Sequence, residues 1–329
     1  MKLFRLTSHR TIKVYHGYGY NGQLVIFGHV LSLSPLPRKK YSDRFWVNLF
    51  SLIRLFLIKP VVGAHVQLCW DDQLINGTTE SDGFFRMEWK TSKVLQFGWQ
   101  EVLLNLLDKD KKIITSSNGF IFIPHFTQYG FISDIDDTFL ISHSSNLRKR
   151  LFVLFTNNAR SRKPFEGVAN HYKLLSLAHT KEEEPNPFFY VSSSEWNLYD
   201  YIVEFTKANH LPRGVYFLSQ IKGLREIFKT GQNKHGAKFM RIVRIMEMFP
   251  KQKFVLLGDS SQQDPFIYLS IVEHFPGRIH AVYIRNVYKK SREKVNEALL
   301  KLEGTGVAYC FFTHSAEAII HSRQIGLIQ

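Results

Sequence analysis

The chain has 329 residues, 44% hydrophobic and 14% aromatic, which excludes a disordered polypeptide and leaves room for one large domain or two ordinary ones. A formal charge of +15 points to phosphate-rich partners (anionic lipid, nucleic acid or a phosphorylated substrate) without choosing among them. The two cysteines, Cys69 and Cys310, are far apart in sequence, which excludes a disulfide framework and a cysteine zinc site.

The start, Met1 to Arg10, is basic and runs into Thr11-Ile12-Lys13-Val14-Tyr15-His16 instead of an apolar core segment, so no signal peptide is expected. With the sparse cysteines, this predicts a reduced, cytoplasmic setting. From about Tyr15 to Pro124 the pattern is strands and turns. Leu24–Val30 reads as a first strand, and Ala64–Trp70 alternates as a half-buried strand does. Asp82-Gly83 marks a tight turn into Phe84–Trp89. Trp99–Leu107, Ile113-Ile114 and Phe120–Ile123 add further strands. The spacing predicts a small β-sandwich over residues 1–125, with no acid, base or metal constellation in it.

One stretch breaks this pattern. Residues 45–58, from Phe45 to Ile58, are strongly apolar, with Arg38-Lys39-Lys40 and Arg44 before them and Lys59-Pro60 after. The stretch is too short to span a bilayer, which takes about 20 apolar residues, and it carries Arg54. Two readings stay open for this apolar helical insertion. Either it packs on the protein, or it lies in the interface of an anionic membrane with its basic flanks on headgroups.

Pro124–Tyr129 is the expected join to a second domain, residues 126–329, where strands and helices alternate as in an α/β fold with a parallel sheet. Candidate strands are Phe188–Val191, Gly214–Leu218, Phe254–Leu257, Ile279–Ile284 and Ala308–Thr313. Helical spacing falls on Trp196–Ala208, Ala237–Phe249, Pro265–Phe275 and Ser315 to about Arg323.

Two acid clusters stand out in this half. In Tyr129-Gly130-Phe131-Ile132-Ser133-Asp134-Ile135-Asp136-Asp137-Thr138, an apolar run delivers Asp134 and Asp136 to a strand end, the edge where α/β sheets bind ligands. Lys253–Gly258 repeats the design and delivers Asp259 and then Asp264. A calcium loop does not fit the first cluster, since Phe139 and Ser145 stand where Gly and Glu are needed. Two such clusters make a candidate Mg²⁺ and phosphate site.

Asp134-Ile135-Asp136-Asp137-Thr138 resembles the first motif of the haloacid dehalogenase-like phosphohydrolases. The longer pattern resembles the actin-patch-associated phosphatidate phosphatase family. After that motif come Phe165-Glu166-Gly167-Val168, the run Asn186–Tyr199 with Ser192-Ser193-Ser194, Lys238 before Phe249-Pro250, Gly258-Asp259-Ser260 through Asp264-Pro265, and Tyr283-Ile284-Arg285-Asn286-Val287. The order of the set is more specific than any one member. Departures are Glu195, where Pro is expected after the serines, and Leu218-Ser219-Gln220, where many relatives carry an acidic residue.

The resemblance implies a haloacid dehalogenase-like Rossmannoid sheet with a minimal cap, and gives each residue a task. Asp134 is the expected nucleophile and Asp136 the acid and base. Thr138 would hold the loop in register. Mg²⁺ would be held by Asp134, the backbone carbonyl of Asp136, and Asp259, with Asp264 either a further ligand or the orienter of Lys238. Ser192 and the Ser193 amide would bind phosphate oxygen, although three serines after a strand also suit a helix N-cap. Lys238 would neutralise charge, with Lys234 and His235 as rivals. Arg160 is a candidate grip on the substrate phosphate, and Arg162 is its alternative.

The short segment between Thr138 and Gly167 suggests an open site, suited to phosphate on something bulky. The family resemblance, more than these residues, implies phosphatidate or a related lipid phosphate as the substrate, with an anionic membrane surface as a further partner and no stable nucleic-acid complex. Two other functions stay open. One is a phosphatase for nucleic-acid ends or phosphoproteins, motivated by the charge of +15. The other is a lipid-binding scaffold with a vestigial site, disfavoured by the intact set of Asp134, Asp136, Ser192, Lys238 and Asp259.

Overall fold

The computed structural model describes residues 9–35, 53–125, 129–135, 164–221 and 234–329. The chain forms two compact units. One comprises Met1–Ile123, Glu195–Tyr199 and Gln220–Thr230, the other Pro124–Ser194, Asp200–Ser219 and Gly231–Gln329.

In the first unit the strands are β1 (Thr11–Val14), β2 (Gly17–Tyr20), β3 (Gln23–Leu33), β4 (Lys59–Pro60), β5 (His65–Trp70), β6 (Gln73–Thr78), β7 (Phe84–Lys90), β8 (Gly98–Leu107) and β9 (Ile113–Ile123). They hydrogen-bond into one sheet of order β1-β3-β2-β9-β8-β5-β6, with β4 and β7 also paired to β3. Only the β2–β9 pairing is parallel, so the sheet is mixed. Alternation dictates which side is buried. In β7, Phe85, Met87 and Trp89 point inward between exposed Arg86, Glu88 and Lys90. Gly77 of β6 lies against the Met87 side chain, so the far strand comes round to meet β7.

Ile113-Ile114 and Phe120–Ile123, separate in the sequence reading, prove to be the ends of one continuous strand. The polar residues between them pair with β8 and leave one face to solvent. β6 has no sequence signal because, as an edge strand, it has no fully buried residue.

The short segment Glu195–Tyr199 belongs to this unit although it sits in the second half of the chain. Trp196 is buried and stacks on Tyr15, with ring centroids 4.1 Å apart and planes 12° from parallel, beside Phe27 and Phe84. The Tyr199 hydroxyl accepts the His16 N–H at 3.1 Å, and the Asn197 amide donates to the Leu55 carbonyl at 2.9 Å. Of the apolar stretch 45–58, residues 45–52 lie outside the described residues. Arg54–Phe56 form a 3-10 turn, with Arg54 and Phe56 buried. Among the described residues, no helix is long and apolar enough to cross a membrane.

The second unit contains β10 (Gly130–Asp134), α1 (Val168–Ser176), β11 (Phe188–Glu195), α2 (Tyr199–Ala208), β12 (Val215–Ser219), α3 (Lys234–Met248), β13 (Phe254–Asp259), α4 (Asp264–His274), β14 (Ile279–Arg285), α5 (Arg292–Leu300), β15 (Ala308–Phe312) and α6 (Ser315–Gln324). Each end of β11 and α2 that faces the Glu195–Tyr199 segment is counted with the first unit. The sheet order is β12-β11-β10-β13-β14-β15, and the pairings of β10 with β11 and β13, β13 with β14, and β14 with β15 are parallel. β10 and β13 are buried on both faces, which explains their unbroken apolar runs.

From β10 the chain builds outward through β11 and β12, then returns to the other side of β10 with β13. The gap between β10 and β13 is therefore the topological switch point, and their carboxyl ends open onto the crevice where such sheets bind ligands.

Each unit also buries a neutral histidine. His29 contacts the Tyr15 hydroxyl through Nδ1 at 3.0 Å, and burial, with help from Lys13, pushes its pKa down to about 3. His171 contacts the Ser322 hydroxyl through Nε2 at 3.0 Å, and burial, then Arg285 and His321, push it down to about 3.

Candidate active site

Strand register puts the acids together. Asp134 ends β10 opposite Val191 of β11, and Ser133 pairs with Leu257 of β13, two residues before Asp259. Asp264 opens α4, followed at once by Pro265, a residue suited to a first helical turn. Gly258 makes this approach possible. A Cβ there would sit 2.7 Å from an Asp264 oxygen and 2.8 Å from the Tyr268 ring.

Asp134, Asp259 and Asp264 are all buried, and each offers a carboxylate oxygen within 4.8 Å of the others. Lys238, buried on the first turns of α3, donates to Asp134 Oδ1 at 2.6 Å and to Asp264 Oδ1. Burial alone would lower its pKa; the charges and hydrogen bonds of Asp134 and Asp264 outweigh that and hold it above the usual lysine value. The other Asp264 oxygen accepts the Asp259 N–H at 3.3 Å, so both are engaged. The Gln262 amide lies 3.5 Å from Asp134 Oδ2. Beneath Asp134, the Ser133 hydroxyl donates to the Asp134 carbonyl at 2.7 Å, which leaves Tyr172 to donate to Ser133 at 2.8 Å.

A divalent cation fits this donor set. Three buried carboxylates bring their oxygens within 4.8 Å of one another, and a divalent cation between them would offset their mutual repulsion. The donors are all oxygen, as Mg²⁺ prefers.

Ser192 is buried one residue beyond Val191, beside the end of β10. Its hydroxyl accepts the Ser194 N–H at 2.8 Å, and its carbonyl accepts from Arg241 at 3.1 Å. It does not cap a helix: β11 continues to Glu195, and the 3-10 turn at Trp196 has no side-chain cap. Ser193 is half-buried on the same strand. Asp136, Asp137, Thr138, Arg160 and Arg162 lie outside the described residues, as do the side chains of Lys234 and His235.

Sequence reasoning gave no task to three contributors, although it placed Arg285 within the Tyr283–Val287 landmark. Arg285 pairs with Asp259 across β13 and β14, and its guanidinium lies between the Phe165 and Phe312 rings, 4.8 and 4.7 Å from their centroids. It donates to the Thr313 carbonyl at 3.1 Å and the Ser315 hydroxyl at 2.8 Å. Ser315 in turn donates to the Glu166 carbonyl at 2.7 Å, fixing the turn at Gly167, where φ is 76°. Gln262 was visible only as a loop residue between the two acids. Arg241 had one signal: three residues after Lys238, it shares that lysine's side of the helix.

A carboxylate cluster with a buried lysine at the switch point of a parallel sheet defines an α/β domain with a candidate active site at that edge. Residues 129–286 match the family model described as "Phosphatidate phosphatase APP1, catalytic domain". Phosphatidate phosphatase APP1 of Saccharomyces cerevisiae is 34% identical over 159 residues, 47% of this chain and 25% of that protein. An uncharacterized protein of Schizosaccharomyces pombe is 24% identical over 220 residues, 64% of this chain and 34% of that protein. The match thus spans about a quarter to a third of the length of these curated relatives. A carbohydrate acetylesterase structure from Xanthomonas citri overlaps 95% of this chain and 73% of its own at 7% identity, and its TM-score of 0.34 carries no inference about fold or function. Over residues 129–286, then, the chain is similar to the APP1 catalytic-domain family.

Proposed function

We propose that this chain is a Mg²⁺-dependent phosphomonoester hydrolase acting on phosphatidate or a related lipid phosphate. The observation that carries the proposal is the buried meeting of Asp134, Asp259 and Asp264 around Lys238, within the segment that matches the phosphatidate phosphatase family.

Asp134 is the nucleophile. One carboxylate oxygen attacks phosphorus, the bond to the ester oxygen breaks, and an aspartyl-phosphate forms. Asp136 protonates the leaving oxygen, then takes a proton from the water that releases inorganic phosphate and restores Asp134. Lys238 holds Asp134 in place and offsets charge on the transferring group. Asp264 orients Lys238, a role favoured by the engagement of both its oxygens. Asp134 and Asp259, with Asp264 completing the negative field, would hold Mg²⁺, which supplies the charge compensation a carboxylate needs to meet a phosphate dianion. Ser192 and the Ser193 amide receive the phosphate, and Arg160 is the candidate for a further grip on it.

Purified full-length chain is expected to release phosphate from phosphatidate in mixed micelles with Mg²⁺, and Asp134→Asn to abolish release. Turnover by a folded Asp134→Asn protein would sink the mechanism. The charge of +15 keeps a second reading in view, a phosphatase for nucleic-acid ends or phosphoproteins. Comparing lipid, nucleotide and peptide phosphates at fixed ionic strength separates the two.

A further inference from the structure

Two cations on α3 approach the site, and among the described residues only one meets a carboxylate. Lys238 meets two carboxylates. Arg241, three residues on, meets none among the described residues. Its guanidinium donates to the Ser192 carbonyl at 3.1 Å and to the Ser219 hydroxyl at 3.3 Å, both neutral acceptors. It is half-buried, and its neighbour one turn further along α3 is another cation, Arg244. Burial and Arg244 together lower its pKa to about 10. Placing a guanidinium here without a counter-charge costs stability, and an anionic ligand at the ends of β11 and β12 would recover that cost.

The geometry adds a direction. The peptide joining Ser192 to Ser193 is trans, so its C=O and N–H point opposite ways. With the carbonyl held by Arg241, the Ser193 N–H is aimed away from the guanidinium, and the positive charge polarises that N–H as a donor. The Ser192 hydroxyl, accepting from Ser194, keeps the turn closed.

We propose that Arg241 is a specificity-determining positioning residue, whose unmatched charge, applied through the Ser192–Ser193 peptide, makes the end of β11 the phosphate-receiving side of the site. The inference rests on the site reading above and adds to it a residue outside the matched acid cluster. It also gives Ser219 a part: a neutral hydroxyl holds the guanidinium in place while leaving its charge available. A carboxylate at 219 would hold it equally well and cancel the charge.

That contrast supplies the test. Inorganic phosphate is titrated calorimetrically into the full chain with saturating Mg²⁺, and KM and kcat are measured on phosphatidate micelles, for wild type, Arg241→Gln, Arg241→Lys, Ser219→Asp and Ser219→Asn. Arg241→Gln is expected to weaken phosphate roughly tenfold or more, the value of one charge-assisted hydrogen bond, and to raise KM more than it lowers kcat. Arg241→Lys restores part of the affinity because the charge remains. Ser219→Asp weakens phosphate although it strengthens the bridge, because the added carboxylate cancels the arginine's charge, whereas Ser219→Asn, which adds no charge, leaves the affinity near that of wild type. Should Arg241→Gln fail to fold, Ser219→Asp still decides.

Phosphate affinity unchanged in Ser219→Asp, or in a folded Arg241→Gln, overturns the proposal. So does weakening confined to micelles with inorganic phosphate unaffected, which would assign the charge to the lipid surface. If wild type neither binds phosphate nor turns over any monoester, the site reading itself fails and this inference fails with it.

Discussion

Replacing Lys238 by Met removes the ammonium that bridges Asp134 and Asp264, both fully buried, and takes the opposite charge out of that contact. Breaking a buried ion pair this way costs about 3–5 kcal/mol, because the orphaned charge can be neither solvated nor matched. For a unit of this size, with about 2–4 °C per kcal/mol, the melting point of metal-free protein should fall by roughly 6–20 °C. The loss can be assigned to one unit. The four described tryptophans, Trp70, Trp89, Trp99 and Trp196, belong to the first unit, so their fluorescence follows its unfolding. Far-UV circular dichroism also senses the helices of the second. In EDTA, Lys238→Met should shift the dichroism transition and leave the fluorescence transition in place. Mg²⁺ should then narrow the gap, because three carboxylates without the lysine attract a divalent ion more strongly, and ligand at 100 times its Kd stabilises by about 2.7 kcal/mol. A variant within about 0.5 kcal/mol of wild type in EDTA, the range of ordinary surface changes, would refute the buried triad. A gap that widens with Mg²⁺ would refute its role as a cation site.

Acid should weaken both units. His29 and His171 titrate near 3 in the fold against an ordinary 6.5, so between those values the unfolded chain holds protons the folded one does not. Stability therefore falls as pH drops below 6.5, by roughly 2 kcal/mol per histidine at pH 5. Urea unfolding at pH 7.5 and 5 measures this. His171→Gln should flatten the slope seen by dichroism and leave that seen by fluorescence, and an unaltered dichroism slope would count against burial of a neutral ring. Trp196→Ala removes a buried ring stacked on Tyr15 and should cost about 3–5 kcal/mol, read in the fluorescence transition of the remaining tryptophans. No shift there would contradict the place of Glu195–Tyr199 in the first unit.

Much of the site was legible because its parts sit at strand ends. Asp134 and Asp259 each close an apolar run, and burial of both faces of β10 and β13 makes such runs easy to see. Lys238 could be singled out only by resemblance, since a helical lysine has no local mark of burial. Arg241 stayed hidden because its acceptors come from β11 and β12, and only tertiary structure brings the three together. The strand β5 was legible through alternation, β7 through the tight turn before it, and β3 through an unbroken apolar run. β6 was not, because an edge exposed to water needs no apolar pattern. Trp196 does open the helical stretch read from the sequence, as a 3-10 turn running into α2; what stayed hidden is that its ring fills a core built by the N-terminal strands.

The Trp196 contact also bears on the order of synthesis. The ribosome finishes β9 at Ile123, but the aromatic ring that completes the Tyr15 cluster is added 73 residues later, which at about 5–20 residues per second is roughly 4–15 s. During that interval the nascent sheet must wait with Tyr15, Phe27 and Phe84 lacking their cover. Release of a finished N-terminal half ahead of the catalytic strands is thus denied to this chain, and its two halves mature together.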